Sequence, residues 1–202
     1  MRAMFRLEKY SPVIQAILGP HEACDRLMSL TPAEPLGGSG YDLLARSSAP
    51  ELFGDLAPSS LEFADCVRSA LYLYFSDLDS SHRISQGVHS ATGSFLHGIM
   101  HRQEPDFSNA KYWFRKVPRH EVFPALRQTA LAQLSSGEDE AARSLRAAVE
   151  ARADWDAFWF VDECEAVRGH GDAGLERHLR DIQQAEWRLL FDFCYDRALG
   201  GS

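Results

Sequence analysis

From Ser59 onward the apolar residues return every three or four positions, and no stretch sustains the apolar-polar alternation of a strand. That spacing restricts the chain to an all-α fold, an irregular multi-helix bundle. The first helix of this body starts at the capping-box sequence Ser59-Ser60-Leu61-Glu62, after which Phe63, Val67, Ala70, Leu71 and Tyr74 make one stripe. Further helices are predicted at Ser80 to Gln86, Gly93 to Gln103, Phe107 to Val117 with Asp106 as N-cap, Glu121 to Leu134, and Glu138 to Arg152. Trp155 to Arg168 is apolar almost all the way round, which predicts a central helix surrounded by others. The last helix, roughly Asp172 to Leu199, carries Leu175, Leu179, Ile182, Leu189, Leu190 and Phe193 on one stripe.

The first 57 residues read differently. Pro12, Pro20, Pro32, Pro35 and Pro50 and the run Gly37-Gly38-Ser39-Gly40 leave room only for short helices, near Pro12 to Leu18 and Pro20 to Leu30. Too few apolar residues lie there for a second core, so 1–57 is expected to be an arm packed on the body, within a single domain of 1–202.

A formal charge of −8 argues against a nucleic-acid partner, which needs clustered Lys and Arg against phosphates. A small polar molecule or a protein is the expected partner. Cys24, Cys66, Cys164 and Cys194 form no CxxC pair or dense framework and read as reduced, mostly core-facing thiols of a cytoplasmic protein. The N-terminus is too interrupted by charge for a signal peptide, and no apolar run reaches the ~20 residues that span a bilayer.

The unusual chemistry is crowded between residues 76 and 116. Ser76 to His89 holds Asp77, Asp79, His82 and His89 beside a helix terminus. Asp77 sits at the C-terminal end of the preceding helix, where the dipole disfavours an anion by ~0.3–1 kcal/mol, so another group must stabilise it. Capping of the next helix by Asp77 or Asp79 is the simplest account. In Thr92 to His101, the i, i+4 pair His97 and His101 projects from one side of a helix, a spacing that suits a shared metal ion. Hydrogen-bonded histidines at a helix edge fit the same spacing. Gly98 between them costs about 1 kcal/mol relative to Ala, which points to close approach by another segment or a ligand. Glu104 and Asp106 then precede a helix on which Tyr112, Trp113 and Arg115 lie off the apolar stripe and can line a pocket.

The run from His97 to Lys116, HGIMHRQEPDFSNAKYWFRK, resembles a block carried by a family of small bacterial and fungal proteins. The resemblance is best over 72–117, with weaker echoes in Trp155 to Cys164 and Gln184 to Cys194, and it implies no particular activity or catalytic residue.

On the last two helices, Glu186 falls within the apolar stripe and Asp162 between Trp155, Phe158, Trp159 and Ala166. A buried acid must meet a cation, a donor or a metal. Three functions follow from these residues. The first is a divalent transition-metal site with His97 and His101 as ligands, completed by His82 or His89 and by Asp77, Asp79, Glu104 or Glu186. The second is a metal-free acid/base or ligand pocket using Arg102, Arg115 and Tyr112. The third is a non-enzymatic scaffold in which the polar block is a buried network.

Overall fold

The computed structural model describes residues 6–19 and 26–201. Its described residues form ten α-helices and two short 3-10 turns, Leu7–Lys9 and Pro50–Phe53. The helices are α1 Pro12–Leu18, α2 Ser39–Arg46, α3 Leu61–Tyr74, α4 Leu78–Ser85, α5 Ala91–Gln103, α6 Phe107–Phe114, α7 Phe123–Ser135, α8 Glu140–Glu150, α9 Ala157–His170 and α10 Ala173–Ala198. The chain is all-α, as its periodicity requires.

Most helix starts are fixed by side chains written into the sequence. Ser11, Ser60, Asp77, Ser90, Asp106, Asp139, Asp156 and Asp172 each accept a hydrogen bond from a first-turn N–H. For α3 the cap is Ser60, one residue later than the capping-box reading, because the Ser59 hydroxyl donates to the Ala198 carbonyl at the end of α10.

The long α10 packs against α3, α7, α8 and α9, while α5 is covered by α3, α4 and α6. The expectation that Trp155 to Arg168 is central is corrected. That segment, α9, packs on α6 and α10 and leaves Asp162, Glu165, Ala166 and Arg168 exposed. The helix buried all round is the more polar α5, in which every residue from Thr92 to Gln103 is shielded from solvent. Burial of so polar a helix is tolerable only because its His, Arg and Gln side chains find partners.

The arm joins the same core. Tyr10, Ile14, Ile17, Leu18, Leu44, Leu52 and Phe53 pack in one cluster with residues of α3 and α10. Of the helix predicted at Pro20 to Leu30, 20–25, including Cys24, lie outside the described residues, and Arg26 to Leu30 is not helical. Its main chain is held instead by side chains of the body. Arg180 donates to the Leu27 and Met28 carbonyls, Gln184 accepts from the Met28 N–H, and Gln103 and Gln183 both donate to the Ser29 carbonyl. Backbone groups satisfied this way have no need of a helical ladder. No helix among the described residues is long and apolar enough to cross a membrane.

Candidate metal centre

The geometry at the site begins with the joint between α3 and α4. Ser76 takes a left-handed backbone, φ 62°, and the Asp77 N–H bonds the Tyr72 carbonyl, closing α3 sharply. Asp77 thereby passes from the unfavourable end of one helix dipole to the favourable end of the next. Its carboxylate accepts from the Ser80 N–H at 3.0 Å and from the Tyr41 hydroxyl at 2.9 Å. Asp77 is therefore the cap of α4, and Asp79, in its first turn, is exposed.

The same joint aims α4 at α5. His82, near the middle of α4, meets His97 and His101 with ring centroids 4.7 and 5.4 Å apart, and the centroids of the i, i+4 pair are 4.8 Å apart. One ligand nitrogen from each of the three imidazoles lies within 4.8 Å of the others, so the group could hold a metal ion. His97 and His101 are buried and His82 is half-buried. His89, beyond the end of α4, is exposed and takes no part.

A carboxylate fixes where the ring proton of His101 sits. The Glu104 carboxylate, which only accepts, is 3.0 Å from His101 Nδ1, so that nitrogen carries the proton and Nε2 keeps its lone pair. Ser85 Oγ is 3.4 Å from the His82 carbonyl and 3.3 Å from His97 Nδ1. The Ser85 hydroxyl thus engages Nδ1 of His97 and not its Nε2. The His82 ring has no hydrogen-bond partner among the described residues. Burial, followed by the neighbouring His101 and His82, pushes the His97 pKa down to about 3. Burial also lowers that of His101, against the raising effect of Glu104. At neutral pH both rings offer neutral nitrogen donors.

Helix α6 clamps the faces of these rings. Trp113 stacks on His97 with centroids 3.8 Å apart and planes at 21°. Asn109 Nδ2 lies 3.0 Å from His101 Nε2 and 3.4 Å from its Nδ1, a position over the ring rather than along either lone pair. The i, i+4 pair of α6 thus matches the i, i+4 pair of α5. Gly98 makes the approach possible, since a Cβ there would lie 2.9 Å from the Phe114 ring. The close neighbour anticipated at Gly98 is α6.

The remaining candidates are dispersed. Tyr112 is 49% exposed and packs edge-on against Trp113, while Lys116 lies over the Trp113 ring at 3.7 Å from its centroid. Arg115 is exposed. Asp162, expected among apolar neighbours, is instead exposed on the outer side of α9 and pairs with Lys111 of α6. Glu186 is fully buried but does not join the histidines. It forms a two-pronged ion pair with the buried Arg102, whose Nη2 also donates to Gln183. Arg102 directly follows His101 yet points to the other side of α5. Sequence reasoning passed over Ser85, Asn109 and His120, the last a buried ring among Phe95, Phe123 and Phe193. His120 Nδ1 accepts from the Val122 N–H, so its Nε2–H donates to Thr92 Oγ1 at 3.1 Å. Cys66, Cys164 and Cys194 are buried free thiols, and burial pushes Cys164 up to about 12, which leaves it protonated and inert.

Comparison with protein-family models, curated proteins and solved structures gave no match.

Proposed function

We propose that His82, His97 and His101 bind one divalent transition-metal ion through nitrogen and leave a fourth position open for water or substrate. One observation carries the reading: a nitrogen from each of the three rings lies within 4.8 Å of the others while Glu104 and Ser85 engage the Nδ1 atoms of His101 and His97 rather than their Nε2 atoms. A carboxylate on the far nitrogen is the usual means of orienting a metal-bound imidazole and raising its basicity. Three imidazoles suit zinc, cobalt, nickel or copper better than magnesium or calcium. Metal–nitrogen distances of about 2.0–2.1 Å draw the rings closer than they stand, and the half-buried His82 has the most room to move. An open position on such an ion supports hydrolysis or hydration by an activated water.

The test is metal content. The purified protein, incubated with zinc or cobalt and dialysed, is expected to retain one equivalent. His97→Ala with His101→Ala is expected to retain none. The half-buried His82→Ala, whose effect on folding should be small, is expected to weaken binding by at least roughly tenfold. Absence of stoichiometric metal in the parent protein defeats the proposal and leaves the cluster as a structural polar network.

A further inference from the structure

Imidazole is a neutral ligand, so three of them remove none of the charge of a divalent ion. In many protein sites an anionic thiolate or carboxylate does part of that work. Here Asp79, three residues before His82 on α4, is exposed and outside the cluster, and the other nearby acids have partners elsewhere. Glu104 meets His101 at Nδ1, on the far side of the ring from the free nitrogen. Asp77 is held by the Ser80 N–H and Tyr41, Asp106 by the Asn109 N–H and Ser108, Asp162 by Lys111, and Glu186 by Arg102. Among the described residues no carboxylate joins the three histidines. Lys116 sits over Trp113, within electrostatic reach of His97, and has no carboxylate partner among the described residues.

From this donor set we infer that the fourth position selects a small anion with an oxygen or nitrogen donor, such as a carboxylate, bicarbonate or azide, over a neutral ligand of the same shape. The inference rests on the metal reading above and names the ligand class for that site. A half-buried site is screened less than open solvent, so positive charge that no ligating carboxylate offsets, and that Glu104 and Asp106 reduce only from behind His101, attracts an anion more strongly there than in water. Lys116 adds to the same field.

Acetate and acetamide differ little in shape and size but differ in charge, which makes them a direct probe. The full chain is loaded with one equivalent of cobalt(II), and its visible bands are followed while acetate, acetamide or azide is added at constant ionic strength. Acetate and azide are expected to shift the bands saturably, with acetate at least roughly tenfold tighter than acetamide. The exposed Lys116→Gln is expected to weaken acetate a few-fold without changing cobalt uptake. Cobalt uptake with acetate no tighter than acetamide, or with acetate affinity indifferent to Lys116→Gln, overturns the inference alone. Failure to take up cobalt overturns the metal reading and this inference with it.

Discussion

Arg102 on α5 and Glu186 on α10 face each other as a two-pronged ion pair from which solvent is completely excluded. Breaking one side of such a pair leaves an uncompensated buried charge, at a cost of about 3–5 kcal/mol. Arg102→Ala or Glu186→Ala is therefore expected to lower stability by that order. Arg102→Met combined with Glu186→Leu, which fills the space with apolar groups, is expected to recover most of the loss. Urea unfolding of the three variants reads this directly, and single variants within ~1 kcal/mol of the parent would show that the pair contributes little.

Gly98 is the contact that lets α6 reach the histidines. Alanine there gains ~1 kcal/mol of helix propensity but drives a methyl into the buried Phe114 ring, an overlap that costs about 1–3 kcal/mol. The expected outcome is net destabilisation together with loosened stacking of Trp113 on His97. Phe114→Leu in the Gly98→Ala background should relieve part of it, and a double-mutant cycle measures the coupling. An equally or more stable Gly98→Ala protein would rule out this account of the approach.

His120 makes stability depend on pH. Burial among aromatic rings lowers its pKa to about 4, against 6.5 for the ordinary value. The folded state thus resists protonation that the unfolded chain accepts, so this contribution is complete above about pH 6.5 and is lost as pH falls toward 4. Within that window each such histidine contributes a slope of up to about 1.4 kcal/mol per pH unit. Denaturation curves between pH 7 and 4.5 are expected to show a smaller slope in His120→Gln than in the parent. Equal slopes would mean that His120 titrates normally in the fold.

Asp77 caps α4 and receives the Tyr41 hydroxyl. Asp77→Ala is expected to cost about 1–2 kcal/mol, and Asp77→Asn distinctly less, because asparagine caps almost as well. Thermal melts of both variants check the order. A larger loss for Asn than for Ala would contradict the capping role.

Much of the architecture was legible because helices announce themselves through spacing and caps. The Asp106 cap, α1, and the burial of Glu186 within the stripe of α10 follow from residues a few positions apart. The i, i+4 geometry of His97 and His101 was legible for the same reason. Their union with His82 was only one of several combinations, since it depends on the left-handed Ser76 joint that turns α4 onto α5. Asp162 was misjudged because a helical wheel gives the composition of a face and not which face a neighbour covers. The apolar run of α9 is covered on one side only, and Asp162 looks outward to Lys111. The roles of Ser85 and Asn109 had no local signal, as neither residue type nor spacing marks them off from ordinary helix-surface polar groups. His120 stood alone in the chain, and its pocket is assembled from Thr92, Phe95, Phe123 and Phe193 on three different helices.

The complete enclosure of α5 has a consequence for how the molecule opens. Amide protons of a helix on the rim exchange with water through small local fluctuations, but those of a helix wrapped by its neighbours must wait for the wrapping to come apart. The amides from Leu96 to Gln103 are therefore expected to be among the slowest in the chain, leaving only when cooperative unfolding dismantles the histidine cluster and the Arg102–Glu186 pair together. The two polar centres on opposite sides of this helix would then persist or vanish as one unit.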